Sequence, residues 1–226
     1  ITDPVLKRQV GGFIGQEAVH GREHRALNDR LARLGYPTKA FERLTRRLLG
    51  FRERVAPPIA NLAATAALEH FTATFAELVL SSSETRQLFG HDEVRNLFLW
   101  HALEEAEHKA VAFDVYRAMG GSERMRTWTM TALTYGFIFG IATQMLVSLA
   151  RDATTYRPGR LRASWRRLRR SPIMQAHLWH RLRDYNRPDF HPDDHDTREL
   201  VERWRAELFG AEGTLNDKLT SASAAA

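Results

Sequence analysis

Apolar residues recur at three- and four-residue spacing through most of the first 150 positions, and no run alternates apolar with polar residues between turn signals. The pattern predicts helices and no sheet. A first long helix spans about Leu6 to Leu34 and stops at Gly35-Tyr36-Pro37, where glycine and proline end helices. A short helix follows at about Lys39 to Leu49. Pro57-Pro58 opens the next, which runs to about Leu80, because proline is tolerated in a first helical turn. Ser81-Ser82-Ser83-Glu84 reads as a connection with an N-cap. A long helix then covers about His91 to Met119 and ends at Gly120-Gly121. Ser122 caps a fifth helix reaching about Ala150, with no charged side chain between Arg126 and Arg151. Arg157 to Arg170 is dominated by arginine, with Leu161, Trp165 and Leu168 spaced for packing. His177 to Asp184 continues as helix, Arg187 to Asp196 is a loop rich in Pro, Asp and His, and Arg198 to Phe209 is a last amphipathic helix. Thr220 to Ala226 reads as a frayed tail. There is no internal repeat. The fold class expected is all-α, with a bundle of four long helices in residues 1–151 and a basic helical extension with its tail in residues 152–226.

Positions three, four and seven apart share one face of a helix. On the first helix Phe13, Leu27, Leu31 and Leu34 form the apolar stripe, and Glu17, His20 and His24 fall on it. On the His91–Met119 helix the stripe is Leu97, Ala112 and Val115, and His101, Glu104, Glu105 and His108 lie within it. Between them Glu69 is centred on Leu62, Ala66, Ala73, Ala76 and Leu80, with small neighbours that leave room. Each unpaired buried charge costs on the order of several kcal/mol, so the three stripes demand compensation. Bound cations supply it. A Glu-x-x-His pair sets one oxygen and one nitrogen donor on adjacent turns, and this chain has two, Glu17-x-x-His20 and Glu105-x-x-His108. The alternative is a buried ion-pair network using Arg22, Arg25 or Lys109.

Composition narrows the chemistry. With no cysteine, any metal must be held by His, Asp and Glu, and thiolate zinc sites, iron–sulfur clusters and thiol nucleophiles are excluded. His177/His180 and His191/His195 have metal-like spacing but polar surroundings, and read as surface groups. His70 lies at the edge of the Glu69 stripe and reads as structural or as an orienting partner. Glu107 points away from the His108 face into solvent. Glu105 completes the three-residue spacing to His108, which leaves Glu104 as a candidate catalytic base.

The segments Gly15-Gln16-Glu17-Ala18-Val19-His20 through His24, Leu68-Glu69-His70-Phe71-Thr72-Ala73, and Trp100-His101 through Glu104-Glu105-Ala106-Glu107-His108 resemble the bacterial family named "predicted metal-dependent hydrolase". More remotely they resemble the ferritin-like di-iron carboxylate proteins. The resemblance covers roughly residues 5 to 150 and implies a ferritin-like bundle around two metal ions. The ferritin-like pattern takes one glutamate from each of two helices and Glu-x-x-His from two others. Here one single-glutamate helix is missing, and His24 and His101 take up the vacancy. The ligand set expected is therefore Glu17, His20, His24, Glu69, His101, Glu105 and His108, around two irons, with zinc or manganese as the alternative.

Thr127 to Ala150 is long enough for the roughly 20 apolar residues that cross a bilayer. Its threonines and the small ridge Ala132, Gly136, Gly140 favour instead a buried fourth bundle helix. The arginine-rich stretch behind it keeps an anionic membrane surface among the expected partners. The net charge of +6 is largely that segment, and with no recognised motif nucleic acid is not expected. A homodimer is compatible with the sequence. No signal-peptide pattern opens it, so the expected location is cytoplasmic, peripheral or monotopic at the inner membrane. The function favoured is an oxygenase or oxidase: two irons reduce dioxygen to oxidise a small hydrophobic substrate, with a separate electron donor. The alternative is a metal-dependent hydrolase whose metals activate a bound water, with Glu104 as base. A second alternative is a non-enzymatic metal-binding bundle.

Overall fold

The structure is a computed structural model that describes residues 1–217 except Pro37 and Asp152, and except the side chains of Phe41, Ser148, Arg151 and Thr154. The expected tail at Thr220 to Ala226 lies outside the described residues. Among these the chain is all helix: α1 (Pro4–Arg33), α2 (Thr38–Val55), α3 (Pro58–Ser81), α4 (Ser83–Gln87), α5 (Asp92–His108), α6 (Val111–Ala118), α7 (Glu123–Arg151), α8 (Arg160–Arg170), α9 (Ala176–Asp184) and α10 (Arg198–Phe209). Asp3 caps α1 by accepting from the Val5 amide, and Ser82 caps α4 through Thr85. The bundle expected from the periodicity is present.

The hub is α3. It is apolar on every side, with buried alanines at 63, 64, 66, 67, 73 and 76, and such a helix is stable only when surrounded. It touches α2, α5, α6, α7, α9 and α10. One core gathers Ala63, Ala67, Phe71, Phe113, Tyr116, Met130, Leu182, Tyr185 and Phe190. The other packs Ala76, Leu80, Leu99, Leu103, Val201, Trp204 and Leu208. Elements from both sides of residue 151 thus share the same cores.

The single helix expected from His91 to Met119 is divided, because α5 ends at His108 and α6 begins at Val111. At the junction Lys109 reaches outward to the carbonyl of His195 and to Thr197, partners from the far end of the chain that no local pattern shows. The turn into α7 uses Gly120 at φ +77 and Gly121, where a Cβ would meet the Tyr116 ring at 2.2 Å.

The fifth sequence helix, α7, is not the buried fourth member expected. Among its described side chains only Arg126 and Met130 are buried, and Leu133 and Phe137 lean on α3. The forecast from threonines and small residues therefore holds for the first turns alone, where Met125, Met130 and Leu133 join the core beside Leu182, Tyr185 and Phe190.

Arg126 is 1% exposed. Its guanidinium donates to the carbonyls of Tyr185 and Arg187 and pairs with Glu123, clamping the end of α9 to α7. Replacing Arg126 with Ala strands the buried Tyr185 carbonyl and the part-buried Arg187 carbonyl, and urea unfolding should show a loss of roughly 3 kcal/mol. A loss near zero would mean that the clamp is dispensable.

Candidate metal centre

Each donor helix presents its groups on the turns that face the others. Glu17, His20 and His24 follow at i, i+3 and i+7 on α1, and His101, Glu104, Glu105 and His108 do so on α5. Glu69 projects from α3, where Ala66 and Ala73 one turn away let the neighbouring backbones come close. The result is a continuous cluster. His108 Nδ1 lies 3.0 Å from Glu69 Oε2, and its Nε2 lies 3.5 Å from Glu17 Oε1. Glu17 Oε1 is 3.5 Å from His20 Nδ1, which is 3.8 Å from Glu105 Oε1. His101 Nε2 stands 2.9 Å from the same Glu105 oxygen, and His101 Nδ1 and His24 Nε2 share a hydrogen bond of 2.8 Å. All seven expected donors therefore meet in one place.

Their atoms fall into overlapping sets, each gathered within 4.8 Å: His20 with His24 and His101, Glu17 with Glu69 and His108, and Glu17 with His20 and Glu105. The third set overlaps both others. A metal fits this arrangement on two grounds. Glu17 Oε1, His20 Nδ1, Glu69 Oε2 and both ring nitrogens of His108 are buried without a well-aligned hydrogen bond, although they stand within ion-pair distance of one another, so their lone pairs point into a shared space. Second, no lysine or arginine among the described residues pairs with these carboxylates. Arg22 holds Glu23 on the surface, and Lys109 has turned away to His195, Thr197 and Asp193. Among the described ion pairs, neither arginine nor lysine supplies the cation that the alternative network was expected to draw from Arg22, Arg25 or Lys109.

Thr72 is a contributor that the sequence pattern did not single out. Its hydroxyl donates to Glu105 Oε2 at 2.5 Å, orienting the carboxylate. The signal was available, because Thr72 is three residues from Glu69 and shares its face. Phe13 closes the deep end, its ring edge-on to His108 with centroids 4.9 Å apart.

Burial sets the electrostatics. It pushes Glu69 above the usual carboxylate range and Glu104 up to about 7. Burial also raises Glu105, but hydrogen bonds from His101 and Thr72 outweigh it and hold the group low. Burial and then the neighbouring His101 and His20 press His24 down to about 4, so it stays neutral and able to bind. His20 is raised, chiefly by Glu17. Burial opposes charge on His108, but Glu69, Glu105 and Glu17 together prevail and raise it.

Glu104 stands beside the cluster and outside the three sets, its Oε2 buried and unpartnered. Side-chain exposure grows from 4% at Glu105 and His108 to 35% at Glu17, so the centre opens along α1.

The remaining candidates lie elsewhere. His70 is buried against Tyr185 and Phe190, with Nε2 3.1 Å from the carbonyl of Arg181, which makes it structural. Glu107 is not simply solvated, for it accepts from Gln16 and pairs with Arg205. His177 and His180 are exposed as expected. His191 and His195 are half-buried and paired with Asp114 and Asp184, where surface groups were expected.

Protons compete with metal for the imidazoles. His20 and His108 hold theirs more tightly than the ordinary 6.5, so as pH falls they protonate earlier than free histidines would. Zinc affinity, followed by chelator competition, should drop through the neutral range by up to about a hundredfold per pH unit, two protons being displaced. A pH-independent affinity would remove these histidines from the ligand set.

A family model described as "Predicted metal-dependent hydrolase" matches residues 1–196. No curated protein and no solved structure matches the chain. The match overturns the favoured oxygenase or oxidase and supports the alternative, hydrolysis. The physical reason lies in the donors: imidazole and carboxylate serve Lewis-acid ions as well as iron, so the ligand pattern alone does not select redox chemistry. With 196 of its 226 residues matched, the chain belongs to the predicted metal-dependent hydrolase family.

Proposed function

We propose that the protein is a hydrolase working with two divalent metal ions, held by Glu17, His20, His24, Glu69, His101, Glu105 and His108. The observation that carries this reading is the convergence of partnerless buried donors on a family described by metal-dependent hydrolysis. The overlapping donor sets support two ions rather than one. The imidazole-rich end suits zinc, and the carboxylate-rich end suits manganese or iron. Such ions, when bound, polarise the substrate and lower the pKa of water.

The chain's own residues do the rest. Glu104, outside the donor sets and with a free buried oxygen, takes the proton from the attacking water and returns it to the leaving group. Water and leaving group then balance: one bond to the substrate forms, one breaks, and no oxidant is consumed. Thr72 keeps Glu105 in one orientation, which fixes the donor shared with His20 and His101. Substrate enters on the side of Glu17, the most exposed donor.

Two variants test the assignment on protein reconstituted with zinc or manganese and assayed with chromogenic carboxylic esters and phosphoesters. Glu104→Gln should keep its metal and lose about a hundredfold to ten-thousandfold in kcat, the usual contribution of a positioned acid–base group. Glu69→Ala should lose metal, read by mass spectrometry. Wild-type protein that binds no divalent ion after reconstitution sinks the reading.

A further inference from the structure

From Tyr135 to Val147 every described residue of α7 except Ala142 is exposed. This exposed half is about 20 Å long at 1.5 Å per residue and touches α3 through Phe137 against Phe71. It carries Phe139 at 74% exposure and Leu146 at 64%, and no charge lies between Arg126 and Arg151. The segment Glu123–Val147 is by length and composition apolar enough to cross a membrane, with hydropathy 1.4, yet only 6% of its most apolar 18-residue stretch is buried. A core helix of that composition would be covered. Here the first turns do belong to the core, through Arg126 and Met130, so the helix is not free to span along its whole length.

The chain just beyond α7 indicates the cover. The helix α8 has six arginines and no acidic residue, while Leu161 and Trp165, one turn apart on a shared face, are each 56% exposed. Tyr156 between the two helices is 72% exposed. An apolar stretch, a tyrosine, and then an amphipathic helix with Leu161 and Trp165 on one face and its arginines on the other together match the acyl chains, the interface and the anionic headgroups of a lipid surface. A second copy of the chain offers the same arginines and no counter-charge. Nucleic acid offers the counter-charge but no apolar medium for Phe139 and Leu146.

We propose that the exposed half of α7 and α8 together form a monotopic anchor on an anionic lipid surface. The anchor holds the protein without spanning the bilayer, and it stands independently of the hydrolase reading.

The test is co-sedimentation of the full chain with vesicles of phosphatidylcholine alone or mixed with phosphatidylglycerol. The expected result is binding to the anionic vesicles at least an order of magnitude stronger than to the neutral ones, with a blue-shifted tryptophan emission that Trp165→Phe diminishes. Combining Arg166→Gln, Arg167→Gln and Arg169→Gln should weaken binding about a hundredfold, near fivefold per arginine. Combining Phe139→Ser and Leu146→Ser should leave only binding that ~1 M salt abolishes. All these positions are exposed, and circular dichroism checks that the variants remain folded. Absence of vesicle binding overturns the anchor. So does binding by the wild-type chain that salt alone removes, or a stable dimer by light scattering that needs Phe139 and Leu146 and ignores lipid.

Discussion

Four carboxylates and four imidazoles, Glu17, Glu69, Glu104, Glu105, His20, His24, His101 and His108, are drawn into the seam between α1, α3 and α5, and no lysine or arginine among the described residues joins them. Most of the molecule can be read as a response to that constraint. Acidic and imidazole groups of this length meet only if the helix axes approach closely, and the alanines of α3 allow it. A helix so thin and apolar needs covering elsewhere, so it becomes the hub of two cores. The centre and the hydrophobic core are therefore one design problem.

The C-terminal third solves the remainder of it. Trp204 on α10 donates to the Leu80 carbonyl at 2.9 Å, and His70 meets the Arg181 carbonyl on α9. The first grips the C-terminal end of α3, and the second grips a side about 100° round from Glu69. Lys109 is held in the same manner, by the His195 carbonyl and Thr197. A cation one residue from His108 could have neutralised the cluster, but the C-terminal segment has claimed it. The donors are left to meet without a lysine or arginine among them.

Much of this was legible in the sequence, because helical periodicity is a local property. Glu17, His20 and His24 could be placed on one stripe, and His101, Glu105 and His108 on another, and the structure brings these stripes together around Glu69. What stayed hidden was non-local. The division at Lys109 depends on residues 86 and 88 positions away. How far α7 is covered depends on where its packing on α3 ends, beyond Leu133 and Phe137. Tertiary packing decides between a buried and an uncovered apolar helix, and spacing is the same in both. Redox and hydrolytic chemistry were likewise inseparable by ligand pattern, since both draw on the same donor atoms.

The grip on α1 has a consequence of its own. Across its 30 residues this helix buries only Leu6, while three donors of the cluster project from it. Hydrophobic burial thus fastens α1 weakly, and its seat on the bundle is polar. A cation bound by the cluster would also hold α1 in place, so that cation loading and the docking of a whole helix would be coupled. The amide protons of α1, and its susceptibility to proteases, would report the occupancy of the centre from well outside it.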